Sequence, residues 1–268
     1  MELEQIKGFL NTPALWQGKL FEVDQFNFLK MNLDDFCPQA IPQNIRLGHQ
    51  VEHIFYQLLH HDKTYEILLF NQAIKNEIRT LGEIDFILKD TVSKEIIHIE
   101  LTYKFYIIDL TIEDKIHQLI GPNKRDSFYD KIEKIKNKQF KLLHTKEAAN
   151  LLHNNKIAIK KNSSKTVFKA QLFKPYKANN LNIAPFNNDC ICGYWLRMRD
   201  FDTLEFNSQH FYLPSKKEWI IAPHENVVWS SFKNIKTEIE ESHKRNHSPM
   251  VWIKKSQQEF EKFFIIFW

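Results

Sequence analysis

The stretch GEIDFILKDTVSKEIIHIELTYK, residues 82–104, decides the fold. Ile84, Phe86 and Leu88 alternate with Asp85, Ile87 and Lys89. After the polar turn DTVSK, Ile97, Ile99, Leu101, Tyr103 and Phe105 alternate with His98, Glu100, Thr102 and Lys104. Period-two alternation is the mark of a half-buried strand, so the segment predicts a β-hairpin with one apolar and one polar face. A solvated face would suit His, Glu, Thr and Lys equally well. Asp85 on the neighbouring strand, with Glu83 two residues earlier, changes the chemistry on offer. Carboxylates on adjacent strands with an ammonium nearby are suited to holding Mg²⁺ beside a phosphate.

An acid on one strand (GEID), a second acid on the next and a lysine close behind (ELTYK) resemble the PD-(D/E)XK nuclease core. More narrowly, LGHQVEHIFYQLL (47–59), LGEIDFIL (81–88), HIELTYKFYI (98–107) and IGPNKRD (120–126) occur in the order seen in domain-of-unknown-function family 1853. The chain resembles that bacterial family, which has been grouped with the nuclease superfamily. The likeness is good over residues 45–140 and weak elsewhere. It implies a restriction-endonuclease-like core and a metal-dependent nuclease, cleaving phosphodiesters in DNA ahead of RNA with Mg²⁺ or Mn²⁺. Position by position, it makes Asp85 and Glu100 the metal-binding acids, Glu52 an accessory acid and Lys104 the catalytic lysine. The chain departs from the pattern at Thr102, where the lysine usually sits. Lys104 is four residues past Glu100, about 13 Å along an extended strand. That departure favours the alternative, a catalytically inactive nuclease-fold binding or scaffold protein.

The rest of the chain supplies the frame. Before the hairpin, a helix is predicted over 46–61, with Leu47, Val51, Ile54, Phe55, Leu58 and Leu59 as its apolar stripe and Glu52 at the stripe's edge. Tyr65–Phe70 reads as the first core strand. After the hairpin, Gly121-Pro122-Asn123 breaks the chain and a helix is predicted from Lys124 to Leu143. Helix, three strands and helix match the order expected of the core. Lys124 and Arg125 would meet anions where the chain enters that helix, and Lys131 would track a phosphate backbone along it. These three are the candidate nucleic-acid contacts.

The organisation expected is α/β (α+β), with a central mixed sheet flanked by helices. Residues 1–44 would be an irregular lead-in packed on the core, 45–175 the nuclease-like core, and 176–268 a C-terminal α+β region. In the second half, strands are expected at Lys156–Lys160, Thr166–Phe173, Cys192–Arg199, His210–Leu213, Met250–Lys254 and Phe263–Trp268. A charged helix falls within Glu225–His243.

Composition excludes several classes. With 268 residues, 43% apolar and 26% charged, the chain can bury a full core and is not of the disordered class. The net charge of +4 permits nucleic-acid contact without demanding it. No apolar run is long enough to span a bilayer, no secretory leader pattern opens the chain, and three cysteines are too few for a disulfide framework. Cytoplasmic location is the expectation. Cys190-Ile-Cys192 would put both thiols on one strand face, without the further ligands that zinc needs. His243 and His247, four apart at a helix end, likewise lack a third ligand.

Overall fold

The hairpin forms where the alternation places it. The computed structural model describes residues 1–28, 31–42, 44–160 and 163–268. The chain opens with α1 (Glu2–Asn11), the ribbon β1 (Lys19–Leu20) and β2 (Val23–Asp24), then α2 (Leu47–Asp62) and β3 (Tyr65–Lys75). The hairpin is β4 (Thr80–Asp90) and β5 (Ile96–Ile108). Then come β6 (Leu119–Ile120), α3 (Phe128–Lys134), a π-helical turn (Ile135–Gln139), α4 (Phe140–Leu142), α5 (Lys146–Asn154) and β7 (Ser164–Pro175). The remainder is β8 (Ile191–Arg197), α6 (Met198–Phe201), α7 (Leu204–Asn207), β9 (His210–Tyr212), β10 (Ser230–Ser231), α8 (Phe232–Lys244), β11 (Met250–Lys254) and β12 (Phe260–Ile266). The class is α+β with mixed strand pairing, as expected. Among the described residues no helix is long and apolar enough to cross a membrane.

The chain divides into two compact units. The first comprises Met1–Leu10, Ala14–Tyr103 and Asp130–Lys169; the second comprises Asn11–Pro13, Lys104–Tyr129 and Ala170–Trp268. Strands β5 and β7 each run from the first unit into the second.

In the first unit β4 pairs antiparallel with both β3 and β5. Its hairpin turn is closed by Asp90, whose Oδ1 accepts the backbone N–H groups of Val92 and Ser93 at 2.8 Å. Such Asx bonding is why aspartate favours turns. β7 lies beside β5, where Thr166 Oγ1 donates to the Glu100 carbonyl at 2.7 Å. Period-two alternation sends Phe86 and Ile87 to opposite faces. Phe86 meets Phe55 of α2 edge-on at 5.1 Å and Phe70 of β3 at 5.0 Å. Ile87 packs with Leu142, Leu143, Ala148 and Leu152 of the helical run that follows. Gly82 allows this close packing, since a Cβ there would stand 2.9 Å from a Leu142 methyl.

Both faces of the hairpin are therefore covered, which corrects the expectation of a half-solvated sheet. His98 and Glu100 are 0% exposed and Thr102 is 3% exposed. Other expectations also shift. Residues 1–44 do not begin irregularly: α1 forms and buries Ile6 and Phe9, with the Phe9 ring tilted against that of Phe55 at 6.0 Å. The helix expected from Lys124 starts only at Phe128, because Lys124 takes a left-handed φ of 54° and Gly121 N–H bonds the Asp126 carbonyl. No strand forms over 156–160, where Lys156 has a φ of 57°. The strand expected to reach Arg199 stops at Arg197, and the chain turns into α6.

The second unit is a mixed sheet with helices. β12 pairs parallel with β8 and antiparallel with β11, and β11 pairs antiparallel with β9. The C-terminal half of β7 pairs parallel with β8. Phe201, Phe206, Phe211, Ile235, Ile239, Val251 and Phe263 fill its core.

Truncating Phe86→Ala should cost the first unit about 3–5 kcal/mol, the usual range for a buried phenylalanine that leaves a cavity between two rings. Urea denaturation followed by tryptophan fluorescence measures it. A loss under 1 kcal/mol would contradict this packing.

Candidate functional site

Strand register sets a row of polar side chains across three strands of the first unit. Phe86 pairs with Ile99, so Asp85 comes opposite Glu100. Phe70 pairs with Phe86 and Gln72 with Ile84, so Asn71 comes opposite Asp85 from the other side. Asn71 has a φ of 46°, a left-handed conformation that few residues besides glycine and asparagine adopt. Its Nδ2 donates to Glu52 Oε2 at 2.8 Å. His49, one helical turn before Glu52, reaches the same oxygen with Nδ1 at 2.9 Å. Asn71 Oδ1 is buried and has no hydrogen-bond partner among the described residues.

Asp85 and Glu100 form the centre. Asp85 Oδ2 accepts the Leu101 N–H at 2.8 Å, and the Asp85 and Glu100 charges act directly on each other. Glu100 Oε1 meets His98 Nε2 at 2.9 Å, and His98 Nδ1 meets Ser164 Oγ at 3.0 Å. Glu100 Oε2 accepts from Gln139 Nε2. Gln139 Oε1 in turn accepts from Lys131 Nζ at 2.9 Å. Gln139 is the last residue of the π-helical turn. Such a turn widens the helix locally by one residue and commonly marks a functional position. Here it separates Lys131 from Gln139 by eight residues while keeping their side chains in contact.

Burial governs the charge states. It pushes the Asp85 carboxyl well above the ordinary range, and the neighbouring Glu100 charge adds to the rise. Burial likewise raises Glu100, with Lys131 the main opposing influence. Two buried carboxyls this close cannot both ionise cheaply, so the pair retains a proton well above the acid range. His98 moves the other way: burial lowers its pKa to about 4, so the imidazole is neutral and its contact with Glu100 is a hydrogen bond rather than an ion pair.

The sequence-predicted residues divide. Asp85 and Glu100 are together, and Glu52 stands near enough to raise both. Lys104 is elsewhere engaged: its ammonium binds Asp126 Oδ2 at 2.6 Å within the second unit. Lys131, expected on a phosphate backbone, is instead the largest cationic influence on Glu100. Lys124 lies 3.6 Å over the Trp268 ring, and Arg125 is exposed, both in the second unit. Thr102, at the usual lysine position, has a buried hydroxyl with no partner among the described residues. Sequence reasoning missed Asn71 and Gln139. Their signals, an asparagine inside a strand and an amide inside a helix, are too common to single out.

Among the described residues no three His, Cys, Asp or Glu side chains gather into a group that could hold a metal alone. The donors nevertheless suit a hard cation. Mg²⁺ is commonly held by one or two carboxylates, with water and substrate phosphate completing its shell. The orphaned oxygens of Asn71 and Thr102 add acceptors near that pair's strands. The other histidine and cysteine candidates do not assemble. α8 ends at Lys244, so His247 lies beyond the helix, and His243 Nε2 is bonded to the Ile265 carbonyl at 3.0 Å. Cys190 ends a 3₁₀ turn and is buried, whereas Cys192 is not.

A family model described as domain of unknown function (DUF1853) matches residues 9–266. No curated protein and no solved structure matches the chain.

The charge states predict a two-sided pH profile for stability. For Asp85 and Glu100 the folded pKa is raised, so their contribution is present in acid and is lost as pH rises through the folded values. For His98 the folded pKa is lowered, so its contribution is present above 6.5 and lost as pH falls toward about 4, a loss of about 3 kcal/mol. Asp85→Asn should therefore raise the melting temperature at pH 8–9 and flatten the alkaline limb, leaving the acid limb in place. Thermal melts from pH 4 to 9 would show it. A variant less stable than wild type at pH 9 would refute the shared-proton reading.

Proposed function

This chain belongs to the DUF1853 family, and from that premise we propose that it is a metal-dependent phosphodiesterase of nucleic acid, with a restriction-endonuclease-like core related to the PD-(D/E)XK superfamily. The observation that carries the reading is the buried Asp85–Glu100 pair. Two acids buried side by side in a sheet interior cost stability that leucine or asparagine would not, and such arrangements cluster at functional sites. The order α2, β3, β4, β5, α3 agrees with that core.

Asp85 and Glu100 would hold the Mg²⁺ or Mn²⁺. When bound, such an ion polarises a phosphate oxygen and acidifies an attacking water. The chain's own residues do the rest. His98 and Gln139 grip one oxygen each of Glu100 and fix its carboxylate plane. Glu52, anchored by Asn71 and His49, is placed to accept a proton from water. Lys131 replaces Lys104 as the cation that offsets charge building on the phosphate oxygens, since Lys104 is bound to Asp126. Water adds to phosphorus, the P–O bond to the leaving sugar oxygen breaks, and that oxygen takes up a proton. DNA stands ahead of RNA on the resemblance alone.

One observation favours the second reading, an inactive nuclease-fold scaffold: both Glu100 oxygens are occupied by His98 and Gln139. Cleavage of plasmid and oligonucleotide substrates with Mg²⁺ or Mn²⁺ separates the two. Asp85→Asn and Glu100→Gln should each cut the rate at least 10²-fold with the fold intact by circular dichroism. Lys131→Ala should lose on the order of 10²-fold, and Lys104→Ala less than about threefold. Full activity in either acid variant would end the nuclease assignment at this pair. Loss in Lys104→Ala but not in Lys131→Ala would return the catalytic role to the strand lysine.

A further inference from the structure

We infer that the second unit carries a phosphate-backbone contact surface, built from Lys124 and Arg125, from Lys216, and from Arg245 with His243 and His247. This inference rests on the nucleic-acid reading above and names the part of the chain that holds the polymer.

The three segments are far apart in sequence; hydrogen bonds fasten two of them together and a ring contact attaches the third. Asn123 Oδ1 accepts the Ser248 N–H at 2.7 Å, and Ser248 Oγ donates to the Pro122 carbonyl at 2.8 Å. Trp268 Nε1 donates to that same carbonyl at 3.0 Å. The loop bearing Lys124 and Arg125 is thus tied to the loop bearing Arg245 and His247. Trp219 attaches the third segment: its ring lies 6.1 Å from that of His247, and Lys216 Nζ is 5.8 Å from its centroid. Lys124, Arg125, Lys216 and Arg245 are all exposed.

Three acids of these segments, among the described residues, are engaged by other partners. Asp126 is held by Lys104, Glu241 pairs with Lys244, and Glu218 is taken up by Tyr212 and Ser215. Lys124 sits on the Trp268 ring rather than on a carboxylate. Burial first, and then Lys216, Arg245, Arg125 and His243, disfavour the charged form of His247, so the positive fields of those four overlap at one place. Like charges brought together by rigid loops raise the energy of the bare protein. A polyanion that releases counterions on binding relieves it. Several cations on separate loops suit successive phosphates of one strand, and none of them needs to read a base.

The test is fluorescence anisotropy with a labelled 20-nucleotide DNA, in EDTA so that no cleavage occurs, over a salt series. The proteins are the full-length chain, the triple variant Arg125→Ala/Lys216→Ala/Arg245→Ala and the charge-keeping triple Arg125→Lys/Lys216→Arg/Arg245→Lys. All three substituted side chains are exposed, and circular dichroism checks the fold. The alanine triple should bind at least tenfold more weakly, with the slope of log K against log salt smaller by about 2–3. The charge-keeping triple should bind as wild type does. Unchanged affinity and slope in the alanine triple would overturn the inference, as would wild type binding polyglutamate but no DNA, which would point to an acidic protein partner. Patch-dependent DNA binding without cleavage when Mg²⁺ or Mn²⁺ is restored would uphold this surface and remove the nuclease reading alone.

Discussion

The burial of the Asp85 and Glu100 carboxyls side by side is the constraint around which the first unit is arranged. A buried carboxylate costs several kcal/mol unless hydrogen-bonded and compensated. Here compensation comes from neutral hydrogen-bonding groups together with the charge of Lys131, the main opposing influence on Glu100. The Leu101 N–H, the Gln139 amide and the neutral His98 ring supply hydrogen bonds, and Ser164 bonds the far side of that ring. Lys131 contributes positive charge through Gln139. Neutral donors stabilise an acid pair without collapsing it into a salt bridge. That leaves carboxylate lone pairs which a cation could still use.

This arrangement explains features that look unrelated along the chain. β7 must lie beside β5, because Ser164 holds His98 and Thr166 caps the Glu100 carbonyl. The helix after the hairpin needs its π turn, because a regular helix would present a different residue at the position of Gln139. Asn71 needs its left-handed backbone to bring its amide to Glu52. Backbone departures of this kind persist only where the surroundings over-determine them, and they gather at sites of function or tight packing.

The legible part of the fold was whatever local periodicity specifies. The Ile84–Phe105 alternation gave the hairpin, and the Leu47–Leu59 stripe gave α2. The turn DTVSK was readable because Asp90 makes its own bonds. Burial on both sides of β5 was not readable. His98, Glu100 and Thr102 look like a solvent face until β7, some sixty residues later, covers them. α1 was missed because MELEQIKGFL lies among aromatic and proline-rich sequence and earns its stability from Phe9 packing on Phe55. The start of the helix after Gly121 was misplaced because nothing local announces that Lys124 turns left-handed. Within the site, the two acids could be named from their spacing, since strand register carries that information. Gln139 and Asn71 could not, since a π turn and a left-handed strand residue have no periodic signature.

The position of the lysine is the clearest case of tertiary structure overriding spacing. A residue two beyond Glu100 shares its face and sits within side-chain reach, about 7 Å along the strand. Thr102 holds that place, and its buried hydroxyl has no partner among the described residues. Two more residues along, Lys104 keeps the face but belongs to the other compact unit, where Asp126 holds it. A cation for the pair must then come from outside the strand. The helix that packs over the sheet supplies it, because Lys131 and Gln139 meet across the π turn and Gln139 bonds Glu100. A shift of the turn by one residue would carry the amide about 100° around the helix and break the link between Lys131 and Glu100. The charge near the two acids is therefore fixed by helix geometry rather than by strand spacing, and sequence motifs written along one strand would not register it.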